Sequence, residues 1–364
     1  MISRTVEALG RSYKFLSQLL QTRSPRLVYA GGFLGYRNLG DEALFQAYKK
    51  LFEGRDLFHY PCPGGRILSI SSKLIRFADH AVLAGGTLIN HRDSLGVAQE
   101  CVSVFPKFFV FGTGVACPDF WSGANGWKNT LEQWKGILRE CHYIGIRGPI
   151  SANILRKAGI DNVDVIGDPI LALASESLKN GGLYRPDSVG LNVGWDKLAQ
   201  WGEPERIYTE FIKLVNLARK AGWEVKWFVL WPPDLAITRK LAIATNTEDE
   251  IYEVYTDVFK YLDQVRYLST FVGTRLHSVA LATCAYVPSI MLEYRPKCRD
   301  YMASIGLEDW TLRTDRFRAD EVWDKLKSWN GQRRKLSELL FQKILPLKDK
   351  QREKADVLME IART

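Results

Sequence analysis

An arginine and a histidine stand one residue apart in the stretch 271–277, FVGTRLH, which continues to residue 285 as SVALATCA. The β-prone residues ending at Val272 predict a strand, and the Ala-rich run from Ser278 predicts a buried helix. Gly273 and Thr274 make the turn between them. A helix start carries unpaired N–H groups and the positive end of the helix dipole, and both suit an anion. Arg275 adds a planar fork for a carboxylate or phosphate, and His277 can give or take a proton near neutral pH. A plainer reading stays open, in which Arg275 pairs with a structural acid and His277 caps the helix.

Two further groups sit at comparable places. In the stretch 27–53 a strand leads through Gly31, Gly32, Gly35 and Gly40 into a helix, with Asn38, Asp41 and Glu42 at its start. These side chains can bond sugar hydroxyls or take a proton, and Asp41 also fits the N-cap of that helix. The loop matches neither a Walker A motif nor a GxGxxG fingerprint. Arg147 follows the strand 143–146 and precedes Gly148-Pro149 and an amphipathic run, where an arginine suits an anion. Asp168, before Pro169, either accepts a hydrogen bond in the cleft or starts a turn, and the turn is the plainer reading.

The elements that must hold these residues are short. Apolar runs at 27–30, 57–60, 81–84, 108–111 and 143–146 predict strands, several ending in glycine, with 163–173 as the last strand of a first domain. Glycine-rich ends of parallel strands point loops at one crevice in a doubly wound α/β domain. The polar, Gly-Gly-containing stretch 175–188 marks a linker. A second set follows: strands at 189–193, 225–230 and 287–292, helices at 204–221 and 252–263, and the 271–285 unit. The predicted organisation is a basic amphipathic segment over 1–26, a first domain over 27–180, a second over 188–318, and C-terminal helices over 319–364 that pack back across both.

Composition narrows the class. The chain has 364 residues, 46% hydrophobic and 25% charged, enough for two cores. It has no apolar run of the ~18 residues that a spanning helix needs, and residues 1–24 lack the pattern of a signal peptide. The six cysteines are scattered with no C-x-x-C pair, which predicts reduced thiols and a cytoplasmic protein. A net charge of +9 suits anionic small molecules or an acidic membrane face. No nucleic-acid-binding signature accompanies it. Eleven tryptophans serve core packing first and sugar stacking second.

Taken in order, GYRNLGDEAL (35–44), AGGTLIN (84–90), FGTGV (111–115), GIRGPISANILRKAGI (145–160), VIGDP (165–169), GTRLHSVALA (273–282) and MLEYRPKCRDYMASIGLED (291–309) resemble the polysaccharide pyruvyl transferase family. The resemblance covers roughly residues 27–310. It implies two Rossmann-like domains facing a central cleft, as in GT-B glycosyltransferases. It also implies a reaction that moves the enolpyruvyl unit of phosphoenolpyruvate (PEP) onto two hydroxyls of one sugar, leaving a cyclic pyruvate ketal, as in exopolysaccharide or cell-wall precursor synthesis. By resemblance, Arg275 and Arg147 converge on PEP with the backbone at Leu276, Lys297 meets its phosphate, and His277 is the general acid. Asn38, Asp41 and Glu42 would then hold the acceptor. No metal or cofactor is implied beyond PEP as co-substrate. Gly148 stands where the family usually carries an acid, and Gly85-Gly86-Thr87 where a third glycine is common.

The resemblance leaves open whether the acceptor is lipid-linked, nucleotide-linked or polymeric, and whether the chain forms a homo-oligomer. Residues 1–26 have no counterpart in these motifs and suit peripheral contact at the inner face of a membrane. The alternative is a nucleotide-sugar glycosyltransferase of the same fold.

Overall fold

A computed structural model describes residues 26–32, 34–53, 56–59, 78–124, 126–178, 184–194 and 199–364. All but the last residue of the expected N-terminal segment 1–26 lies outside them. Short runs rich in Val, Ile, Leu and Phe pair into two parallel sheets. The first sheet contains β1 (Arg26–Ala30), β2 (Asp56–His59), β3 (His80–Ala84), β4 (Thr87–Ile89), β5 (Phe108–Val115), β6 (Tyr143–Ile146) and β7 (Asp164–Val165). Its order is β2-β1-β3-β5-β6-β7, with β4 beside β5. The second contains β8 (Ser188–Asn192), β9 (Glu224–Val229), β10 (Ile251–Glu253), β11 (Thr270–Gly273), β12 (Ser289–Glu293) and β13 (Thr311–Arg313), in the order β10-β9-β8-β11-β12-β13. Buried parallel sheets are apolar on both faces. In β1, Leu27 and Tyr29 join one core cluster while Val28 and Ala30 join another.

In both sheets the chain fills one side of its first strand and then crosses to the other. The reversal falls between β1 and β3 in the first sheet and between β8 and β11 in the second. Loops splay apart beyond the carboxyl ends of strands at such a point, and ligands bind there. The helices around the two sheets include α1 (Leu39–Leu51), α2 (Arg92–Val104), α3 (Pro149–Lys157), α4 (Pro204–Lys220), α5 (Val258–Val265), α6 (Leu276–Cys284), α7 (Pro296–Ser304), α8 (Ala319–Trp329) and α9 (Arg333–Arg363), and of these α1, α2, α6 and α7 border the opening.

Three local expectations are corrected. The stretch 163–173 is not one strand: β7 has two residues, and Pro169–Leu173 forms a 3₁₀ turn. Pro169 has no N–H for a ladder, and Asp168 Oδ1 accepts from Ile170 N at 3.1 Å to start the turn. A fully buried apolar run reads alike as strand or turn. Likewise 252–263 splits into β10 and α5, the helix starting where Asp257 Oδ1 accepts from Lys260 N. The N-cap of α1 is Asn38, whose Oδ1 accepts from Gly40 N at 3.1 Å, so Asp41 lies inside the first turn.

The last helix returns from the second domain to the first. Lys350 Nζ meets Asp164 Oδ1 at 2.6 Å, Gln351 Nε2 donates to Ile166 O and Asp168 O, and His80 Nε2 lies 2.7 Å from Ala362 O. Buried Lys348 donates to Ala174 O. The 3₁₀ turn 169–173 therefore sits in a nest of α1, α6 and α9, and the two domains share one core cluster. The five described cysteines are unpaired thiols.

Candidate active site

The turn after β11 is fixed by its own strand neighbours. Asn192, at the end of β8, accepts from Arg275 N through Oδ1 at 3.1 Å and donates to Phe228 O at 2.9 Å. Thr274 Oγ1 accepts from Gly194 N at 2.8 Å. These bonds set Arg275 as the N-cap residue of α6, with Leu276 and His277 in its first turn, two residues earlier than the Ala-rich run suggested. The Arg275 side chain is only 15% exposed and forks onto Asp234, Nε to Oδ2 at 2.8 Å and Nη2 to Oδ1 at 2.5 Å. Its guanidinium also lies 5.1 Å from the Trp231 ring centre. Burial works against the Arg275 charge, but Asp234 and Tyr294 together more than offset this, and its pKa is raised. Gly194 is required here, because a Cβ would fall 2.4 Å from Arg275 Nε. The structural-acid reading of Arg275 is thus correct in part. Asp234 holds the fork while the residue borders the cleft.

From the end of β12 come Tyr294, Arg295 and Lys297. Lys297 Nζ lies 5.1 Å from the Tyr294 ring centre and makes no ion pair among the described residues. Arg295 stacks over Trp121 at 4.6 Å, from one domain to the other. His277 faces the first domain. Its ring lies against Gly40 on α1, and its Nε2 is 3.8 Å from Asp168 Oδ2.

Across the cleft stand the strand ends of the first domain: Gly31 and Gly32 after β1, Gly86 and Thr87 after β3, Ala116 and Cys117 after β5, and Arg147 after β6. Arg147 departs from the expectation of an anion ligand open to the cleft. It is 1% exposed, and its donors are engaged by Gly86 O (3.1 Å), Thr87 Oγ1 (3.3 Å) and Asp300 Oδ2 (3.4 Å). The two arginines therefore do not grip one anion together in this state. Asp300 arrives from α7 of the second domain, a long-range pairing that no local pattern foretells.

The three acceptor candidates separate. Asp41 is buried on the cleft wall, and Asn38 borders it while capping α1. Glu42 is not on the wall; its Oε1 accepts from Gly35 N at 2.8 Å and so braces the loop before α1. Trp121 and Trp231, which suit core packing first and sugar stacking second, both line the cleft, and His91 and Tyr294, each within two residues of a strand end, join them without having been singled out by sequence, as does Asp234 behind Arg275. Burial lowers the His91 pKa, with Asp93 opposing and Arg295 adding to it. The signal that finds such residues is polar or aromatic character just past a strand.

Together these walls border a cleft of about 670 Å³, within the usual range of ligand cavities. The cleft joins both topological reversals. Among the described residues no helix is long and apolar enough to cross a membrane.

A model of the family described as "Polysaccharide pyruvyl transferase" matches residues 38–296. No curated protein matches the chain. Among solved structures, a UDP-GlcNAc 2-epimerase from Neisseria meningitidis bound to UDP-GlcNAc is similar, with a TM-score of 0.58 at 8% identity, covering 92% of this chain and 99% of that one. A UGT transferase from Siraitia grosvenorii in complex with UDP has a TM-score of 0.56 at 11% identity, covering 93% and 100%. At such identities the likeness is one of fold, and the fold is GT-B-like.

Proposed function

Because the chain belongs to the polysaccharide pyruvyl transferase family, a family of transferases, we propose that it transfers pyruvate from PEP to two hydroxyls of one sugar, forming a cyclic ketal and releasing phosphate. The observation that carries this reading is the meeting of Arg275 and His277, at the second domain's reversal point, with Lys297 from beyond β12 on one cleft wall, facing Asn38 and Asp41 of the first domain. PEP is a small polyanion, so it calls for fixed positive charge beside a proton donor. Asp234 orients Arg275 for the carboxylate or phosphate. The α6 start offers backbone N–H groups, Leu276 among them. Lys297, on the same wall, is the cation for the phosphate.

In the first step His277 gives a proton to C3, the C2=C3 electron pair forms the new C–H bond, and a sugar oxygen attacks C2. The second hydroxyl then displaces phosphate at C2. Two hydroxyl protons are released: one restores His277 and the other leaves with phosphate. Positioned proton transfer contributes ~10²–10⁴-fold, and cations stabilise the leaving phosphate. Asp41, with Asn38, orients the acceptor hydroxyls, while Trp231 on the cleft wall offers an aromatic contact to a sugar ring. Arg147 serves as the buried strut that shapes the cleft floor. The acceptor is a sugar of a polysaccharide or glycan precursor.

The test is mass spectrometry of PEP with a panel of free, lipid-linked and nucleotide-linked sugars. A product heavier by one pyruvate ketal, with equimolar phosphate, is expected. Release of UDP or GDP from a nucleotide sugar, with PEP untouched, would instead make the protein a glycosyltransferase.

A further inference from the structure

Asp168 and His277 meet across the domain boundary with a matched vacancy in each. Asp168 is 1% exposed. Its Oδ1 accepts from Ile170 N at 3.1 Å, while its Oδ2 is buried with no hydrogen-bond partner among the described residues. His277 Nε2 is likewise buried and without a partner. The two atoms are 3.8 Å apart, a few tenths of an ångström beyond a hydrogen bond. A buried carboxylate oxygen left unbonded is costly, so the pair gains from any small closure of the domains.

The other edge of the imidazole is defined as well. A Cβ on Gly40 would fall 2.2 Å from His277 Nδ1, so the ring occupies a slot between Gly40 on α1 and Asp168. Only a residue without a side chain leaves that slot open. With Nε2 turned to the carboxylate, Nδ1 is the other ring nitrogen, on the side of Gly40, and both Gly40 and His277 line the cleft.

We infer that Asp168 is the positioning residue of His277: its Oδ2 takes the Nε2–H and fixes the tautomer, and Nδ1 is the atom that exchanges the proton. The inference rests on the proposed role of His277 and specifies which nitrogen acts. When the imidazolium gives its Nδ1 proton to C3 of the enolpyruvyl group, the ring becomes the neutral Nε2–H tautomer, which the carboxylate of Asp168 favours. A group that orders a histidine in this way acts on turnover more than on donor binding.

The experiment uses the full chain with ¹⁵N-labelled histidine, His277→Ala serving to assign the ring signals. In the wild type the neutral His277 ring should be the Nε2–H tautomer. Asp168→Asn keeps the oxygen that accepts from Ile170 N but presents an NH₂ group to Nε2, so the ring should change to the Nδ1–H tautomer. The kcat for phosphate release should fall about 10²-fold with the PEP KM within about twofold. Gly40→Ala keeps the carboxylate and displaces the ring, and a similar loss of kcat is expected from it. An unchanged tautomer in Asp168→Asn, or full turnover in either variant, would overturn the inference. If the wild type releases no phosphate from PEP with any acceptor, the proposed reaction fails while the tautomer measurement still decides the pairing.

Discussion

Asp300 and Arg147 form a buried junction between the domains: the carboxylate of one caps a helix next to which the guanidinium of the other is locked. Asp300 Oδ1 accepts from Ile150 N and Ser151 N at 2.9 and 3.1 Å, and Oδ2 from Ser151 Oγ at 2.6 Å, besides meeting Arg147 Nε. A residue of the second domain thus satisfies the first turn of α3 in the first domain. Asp300→Ala should cost about 3–5 kcal/mol, the range for removing one partner of a buried ion pair. The urea midpoint of the full chain measures this; a change under ~1 kcal/mol would mean the junction is solvated and weak.

Gly148, directly after Arg147, has no room for a side chain. A Cβ there would fall 2.2 Å from the backbone oxygen of Asp300, and backbone cannot swing aside as a side chain can. Gly148→Ala should therefore destabilise by about 1–3 kcal/mol, as overpacking does. Gly96, inside α2 with nothing within 4 Å of its Cβ position, is the control. Gly96→Ala should stabilise by about 0.5–1 kcal/mol through helix propensity. The two substitutions should shift the melting temperature in opposite directions, and a common sign would refute the steric argument.

Arg275→Lys retains the charge but not the fork that Asp234 holds at Nε and Nη2. A lysine can meet only one carboxylate oxygen at a time. The expected outcome is a rise in PEP KM of about 10–100-fold, since hydrogen bonds to charged groups contribute about 1.5–3 kcal/mol. Steady-state kinetics against PEP decide this, and an unaltered KM would remove Arg275 from the donor site.

Glu293 closes β12 beside the cleft residues, almost fully buried, with Oε2 accepting from Arg299 Nε at 3.0 Å. Burial raises its pKa to about 7, with Arg299 opposing. A carboxyl that holds its proton more tightly folded than unfolded stabilises the fold most below its unfolded pKa. That contribution is lost as pH climbs to about 7 and stays level above it. His80, whose pKa burial lowers, works in the opposite direction over part of this range, so the informative quantity is a difference. Between about pH 5 and 7 the wild type should lose stability relative to Glu293→Gln as pH rises, measured by chemical denaturation of both. Parallel pH–stability curves for the two proteins would show that Glu293 does not titrate in that window.

Several features were legible in the chain itself. Alternating runs of β-branched and aromatic residues ending in glycine marked β1, β3, β5, β6 and β11, because parallel strands buried on both faces must be apolar throughout and their ends must bend sharply. The order of motifs pointed to the family. Polar residues just past strand ends, Arg275, His277 and Lys297 among them, do border the cleft. Local periodicity failed where burial was complete, as in the 3₁₀ turn Pro169–Leu173, since a core segment carries no polar face to reveal its period.

What the sequence alone determined is therefore the set of elements and the side chains at their ends, since strand period, turn chemistry and helix starts depend on residues close together in the chain. The tertiary structure decided which of those side chains meet. Arg147 was drawn to Asp300, 153 residues away, while Asp168 was set opposite His277 and Gly40 kept bare for the ring. Each of these pairings joins one domain to the other, and such a contact is fixed by how two sheets and a returning helix pack, which no short stretch of chain encodes.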